Sequence, residues 1–272
     1  MTAPRWQGMD VQRSDLSKLA VGAATVGAMG AAVHLLEGWM QTNPLAAAII
    51  GAVLLDVLGG RLGLVWDETR QAKGSALALT VLRGFAMGAA LALSIAVVGA
   101  TLRWATIARG SPSLMGLGLG VATPLAIAAR DELLYRGIPL MMMRGRVPDR
   151  WALPFCALLG AAPIALRPGA SVIGVVLAAS AGAFFAILWR IGRGAWLPWG
   201  AHAGWLFMAG AGIHGSLLDA WFTDGLLVPV ARAHGNPAWL GALVFALAAF
   251  GSSWWYARRF GARPDERSGR RD

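Results

Sequence analysis

Seven apolar runs dominate this chain, at about 16–36, 44–66, 76–101, 114–143, 171–190, 195–214 and 237–257. Each is long enough to cross a bilayer as a helix. An eighth run, about 151–166, is short for a span but usable where the bilayer thins or the helix lies inside a bundle. Backbone groups in hydrocarbon must satisfy their hydrogen bonds internally, and runs of this length do so as helices. The expected fold class is all-α: a polytopic membrane helix bundle of about eight transmembrane helices, forming one integral membrane domain over 1–272.

Composition agrees. Hydrophobic residues make up 57% of the chain and charged residues 14%, against roughly 25% charged in soluble domains. The 36 glycines fit as well, because lipid-spanning helices tolerate glycine better than soluble ones. Trp39, Trp66, Trp104, Trp151, Trp189, Trp196, Trp239, Trp254 and Trp255 fall at expected helix ends, where an aromatic belt would sit. The mixed segment 215–236 is expected along one interface.

Charge sets the orientation. With eight spans and the N-terminus inside, the inner segments hold sixteen of the 24 Lys and Arg residues and the outer loops hold four. Positive-inside asymmetry then puts both termini in the cytoplasm, including the basic tail 258–272, and it requires the weak span. The leader "MTAPRWQGMDVQRSDLSK" carries two Asp among its bases and precedes a long apolar run, so the first helix is expected to be retained rather than cleaved. The net charge of +10 is read as attraction to a membrane surface and not to nucleic acid, since no basic run interleaves with aromatics. The lone Cys156 excludes an internal disulfide, and no metal-ligand spacing is present.

Against this background the stretch "AARDELLYRGIPL" stands out, because it carries Arg130, Asp131, Glu132 and Arg136 inside an apolar span. Glu132 and Arg136 are four residues apart and share a helix face, so they can pair as carboxylate and guanidinium. Asp131 is turned about 100° away, toward Tyr135. The motif lies roughly 17 Å from the inner end of its helix, a depth that calls for protein or water around it. In "GAWLPWGAHAGWLFMAGAGIH", His202 falls roughly 10 Å in from the same side. Two acids, an arginine and a histidine facing one interior cavity can activate water or move protons.

"DELLYRG" resembles the E-E-x-x-x-R-G motif of the CPBP family, the CAAX-prenyl-protease-like (Abi) intramembrane glutamic endopeptidases. "LWRIGRGAWLPWGAHAGWLF" is similar to the family's later stretch ending at the histidine of H-x-x-x-N. The resemblance covers about 114–225. It implies an intramembrane endopeptidase without cofactor or metal. Asp131 would stand for the acid that activates water, Glu132 and Arg136 would shape and orient the site, and His202 would stabilise the oxyanion. The substrate would be a membrane-associated peptide or protein entering near the cytoplasmic leaflet.

The chain departs from the family pattern in three places. Asp131 is one methylene shorter than glutamate. The region "LLGAAPIALRPG" has no histidine where the family carries F-x-x-x-H, with Leu166 or Arg167 nearest that position, and Leu206 replaces the asparagine after the last histidine. A competing expectation is therefore a non-catalytic scaffold or immunity-type protein of the same fold. A transporter is a weaker one, since no internal repeat is evident.

The remaining polar residues carry structural expectations. Asp56, Arg61 and Arg83 are expected in structural pairing; His34 and His214 are expected at interfaces, and His234 in an outer loop. The glycines of "GLGLGVATPLAIAA" should form a helix-packing surface, and Met141–Met143 an apolar helix end. The Ala/Gly/Arg-rich composition suggests a bacterial cytoplasmic membrane.

Overall fold

Polar side chains start several helices where the apolar runs begin. Asn43 Oδ1 accepts from the Ala46 amide at 3.1 Å, Ser113 Oγ from Gly116 at 3.0 Å and Ser171 Oγ from Gly174 at 3.0 Å. Each satisfies one of the amides that a first turn leaves without a partner. In this computed structural model the described residues are 13–64, 66, 74–145, 147–214, 217–222 and 238–260.

The order of elements is α1 (Arg13–Trp39), α2 (Pro44–Arg61), α3 (Ser75–Thr101), β1 (Ala105–Arg109), α4 (Leu114–Glu132), α5 (Ile138–Met143), α6 (Asp149–Ala165), α7 (Val172–Gly192), α8 (Trp196–Phe207), β2 (Leu218–Phe222) and α9 (Ala238–Phe260). A π turn, Leu133–Gly137, joins α4 to α5 without a break. The described helices thus cover each of the eight expected runs. Four of them, α2, α3, α7 and α9, are long and apolar enough to cross a membrane. Residues 1–12, 223–237 and 261–272 lie outside the described part, and with them His234, most of the basic tail and most of the 215–236 segment.

The expectation of a wholly helical fold needs one correction. β1 and β2 form a two-stranded antiparallel ribbon pairing Ala105 with Phe222 and Arg109 with Leu218. Both segments follow a helix end. "ATIAR" carries the β-branched Thr106 and Ile107, which favour an extended backbone.

The helix packing runs through α8, which lies against α3, α4 and α7; α7 in turn packs on α6 and α9, and α2 packs on α4. The α3–α8 seam is made by glycine. A Cβ on Gly84 or Gly88 would overlap the backbone of Leu197 and Ala201, and one on Gly200 or Gly204 would overlap the backbone of Val81 and Phe85. Two Gly-x-x-x-Gly faces therefore meet backbone to backbone. The glycines expected to pack in 116–129 do so in part. Gly120 abuts Ala211 and Phe207, while Gly118 faces open space.

Asp56, expected in structural pairing, accepts on Oδ1 from Trp66 Nε1 at 2.6 Å. The turn after α2 folds Trp66 back over Gly59, and that brings the indole N–H to the carboxylate. Arg83 is exposed. His34 is exposed on α1, and the backbone of His214 forms an antiparallel β-bridge with that of Asp219 in β2. Trp39, Trp151, Trp254 and Trp255 are exposed, as a belt requires, but Trp189 is buried.

Candidate functional site

The site begins where the helical repeat changes. Pro139 has no N–H to give to a carbonyl one turn earlier, and its ring crowds that turn. The wider π turn at Leu133–Gly137 absorbs both effects, with Ile138 N–H donating to Leu133 O. Single π turns inside α-helices recur at functional sites. Here the turn follows Glu132 directly and carries Arg136.

Glu132 is 1% exposed and Arg136 4%. Arg136 Nη1 donates to Glu132 Oε1 at 2.6 Å. His202 Nδ1, from α8, reaches the same oxygen at 2.9 Å. Trp189 Nε1–H, from α7, donates to Oε2 at 2.9 Å. Removing a carboxylate from water costs several kcal/mol unless it is paired and hydrogen-bonded. Three donors from three helical segments meet that requirement. An ionised carboxylate only accepts, so Nδ1 is the protonated nitrogen of His202 in this arrangement.

Aromatic packing fixes the ring plane. Phe185, one turn before Trp189 on α7, stacks on His202 with centroids 4.7 Å apart and planes 19° apart. The Arg136 guanidinium lies 5.3 Å from the same phenyl ring. On the other side α6 presents Gly160, where a Cβ would come within 3.0 Å of Arg136 Nη2. Cys156, one turn earlier on α6, is buried with Leu140, Ala186 and Trp189.

Of the four residues expected at the site, the structure brings Glu132, Arg136 and His202 together. Asp131 is turned away from them. Its Oδ1 accepts from Arg130 Nε at 2.8 Å and Nη2 at 2.7 Å, and its side chain is 20% exposed. The cause is the helical offset between adjacent residues, together with Arg130, whose stem lies against Gly51 of α2. The position nearest the family's missing histidine is also clear. Leu166 follows the last residue of α6, is 83% exposed and takes no part in the cluster.

Reading the sequence missed Trp189, Phe185 and Gly160. Trp189 had a signal: it lies four residues after Phe185 in "FFAILWR", so both occupy one face of α7. An indole near a helix end fits an aromatic belt equally well, and composition does not separate the two.

A helical protein with membrane-length apolar helices and a buried carboxylate–guanidinium–imidazole cluster is thus the class that fold and site define. Residues 112–208, which hold α4 to α8 and all of Glu132, Arg136, Trp189 and His202, match the family model described as Rce1-like: Type II CAAX prenyl endopeptidase Rce1-like. That match is consistent with the CAAX-protease-like resemblance read from the motifs. With the four apolar helices it points to an integral membrane protein. No curated protein and no solved structure matches the chain.

Proposed function

We propose that the protein is an intramembrane endopeptidase that hydrolyses a peptide bond of a membrane-associated peptide or protein. The supporting observation is the buried cluster of Glu132, Arg136 and His202, drawn from separate helices within the matched stretch. An ionic cluster buried among apolar helices marks a functional site more often than a packing device. We place eight spans in a bacterial cytoplasmic membrane with both termini inside; reporter fusions at each loop test that orientation. Catalysis requires neither cofactor nor metal in this reading.

The test is cleavage of a membrane-tethered peptide by the purified chain in proteoliposomes. Glu132→Ala and His202→Ala should each slow it by orders of magnitude. Wild-type rates in both variants would remove the assignment.

A second reading, a scaffold or immunity-type protein of the same fold, is favoured by Asp131 bonding to Arg130 and by Leu166, nearest the place of the absent histidine, lying exposed outside the cluster. It expects no cleavage by the wild-type chain, while Glu132→Ala still lowers its thermal stability.

A further inference from the structure

We propose that the base which activates the hydrolytic water is His202 Nε2 rather than a carboxylate, with Glu132, Trp189 and Phe185 as positioning residues; this rests on the peptidase reading. The geometry of the acids carries it. Glu132 has both carboxylate oxygens committed, Oε1 to Arg136 and His202 and Oε2 to Trp189. Asp131 is paired with Arg130 and forms no hydrogen bond or ion pair with the cluster among the described residues. Glu132 is also too enclosed, at 1% exposed, for a water to reach either oxygen.

His202 is arranged differently. Donating from Nδ1 to Glu132 fixes the tautomer that leaves a lone pair on Nε2. Stacking on Phe185 fixes the plane in which that lone pair lies. Nε2 itself makes no hydrogen bond among the described residues, and the side chain keeps 12% of its exposure. A carboxylate that orients an imidazole and stabilises its protonated form is the logic of hydrolytic triads, recognised by geometry and not by chain order.

The reaction closes without an added reagent. Water loses a proton to Nε2 while its oxygen bonds to the scissile carbonyl carbon, and the carbonyl π pair moves to oxygen as an oxyanion. Collapse restores the carbonyl and breaks the C–N bond. The imidazolium returns its proton to the leaving nitrogen, giving a carboxyl and an amine, with Glu132 ionised throughout.

The experiment uses the full-length chain in proteoliposomes. His202→Ala should cleave the tethered peptide roughly 100-fold or more slowly. Imidazole, which can donate one N–H to Glu132 and keep a lone pair on its other nitrogen, should then restore part of the rate, the rescue growing with the fraction of free base as pH rises. A rescue that grows instead with the imidazolium fraction would overturn the proposal in favour of a hydrogen-bond donor. An unimpaired His202→Ala would also overturn it. Where imidazole does not rescue, nitrogen NMR of the histidine-labelled wild-type chain decides, with the ring assigned by His202→Gln. Protonated Nδ1 and unprotonated Nε2 are expected, and the reverse tautomer in a cleaving enzyme would remove this inference alone. A wild-type chain that cleaves nothing would remove the peptidase reading and this inference with it.

Discussion

The indole of Trp189 and the carboxylate of Glu132 meet at 2.9 Å although 57 residues separate them in the chain. This bond ties α7 to the turn that carries the motif, and it gives Oε2 its hydrogen-bond donor. Trp189→Phe keeps an aromatic ring and deletes the donor. A buried acceptor left unpaired costs about 1–3 kcal/mol, and the smaller ring adds a cavity. Thermal denaturation in detergent should show that loss. Cleavage should fall on the order of 100-fold if the carboxylate shifts by about 1 Å. An unchanged rate would make Trp189 a packing residue only.

The two adjacent acids should separate cleanly under mutation. Glu132→Gln replaces a carboxylate engaged by Arg136 and His202 with an amide that cannot ion-pair, leaving the buried guanidinium uncompensated. Removing one partner of a buried pair costs roughly 3–5 kcal/mol. Asp131→Asn loosens only a part-exposed pair with its neighbour Arg130, so both stability and cleavage should change far less. Parallel melting curves and initial rates check this order. A greater loss of activity in Asp131→Asn would return the role of base to that acid.

Much of the fold was legible because membrane length and apolar composition are local properties. The expected windows coincide with helices to within a few residues, and His202, read as facing the acidic motif, contacts Glu132. The β1–β2 ribbon was not legible. Its strands have five residues each and pair across more than a hundred positions, so no local period marks them. The partner of Asp131 was not legible for a different reason. The helical offset already turned it about 100° from Glu132, but which cation its carboxylate meets, Arg130, depends on how the helices pack. Trp189 and Gly160 act through contacts between helices, which one-dimensional spacing does not carry.

Gly160 limits the space beside Arg136. An added methyl would stand 3.0 Å from Nη2, so the guanidinium must shift by a few tenths of an ångström or more. Gly160→Ala should therefore lower the cleavage rate more than it lowers stability, because alanine also improves helix propensity by about 1 kcal/mol. The ratio of the rate change to the melting-temperature change is the measurement. Equal and small changes in both would mean that the arginine adjusts without consequence.

The glycine seam between α3 and α8 gives the sharpest contrast, because it separates glycines needed for close approach from glycines merely tolerated. At Gly88 and Gly204 an added Cβ meets the partner helix's carbonyl oxygen, Ala201 O and Phe85 O respectively. Neither obstacle is a side chain that can rotate aside, so the helices must move apart. Overpacking of this kind costs roughly 1–3 kcal/mol or more, and it acts on α8 just where His202 is held. Gly88→Ala and Gly204→Ala should each lower the melting temperature and slow cleavage. Gly118→Ala, on a face with nothing within 4 Å, should leave both within a small margin of wild type. Melting curves of the three variants in one detergent are enough to decide it: if Gly88→Ala proved as benign as Gly118→Ala, α3 and α8 would not be packed backbone to backbone, and the placement of His202 beside Glu132 would lose its main support.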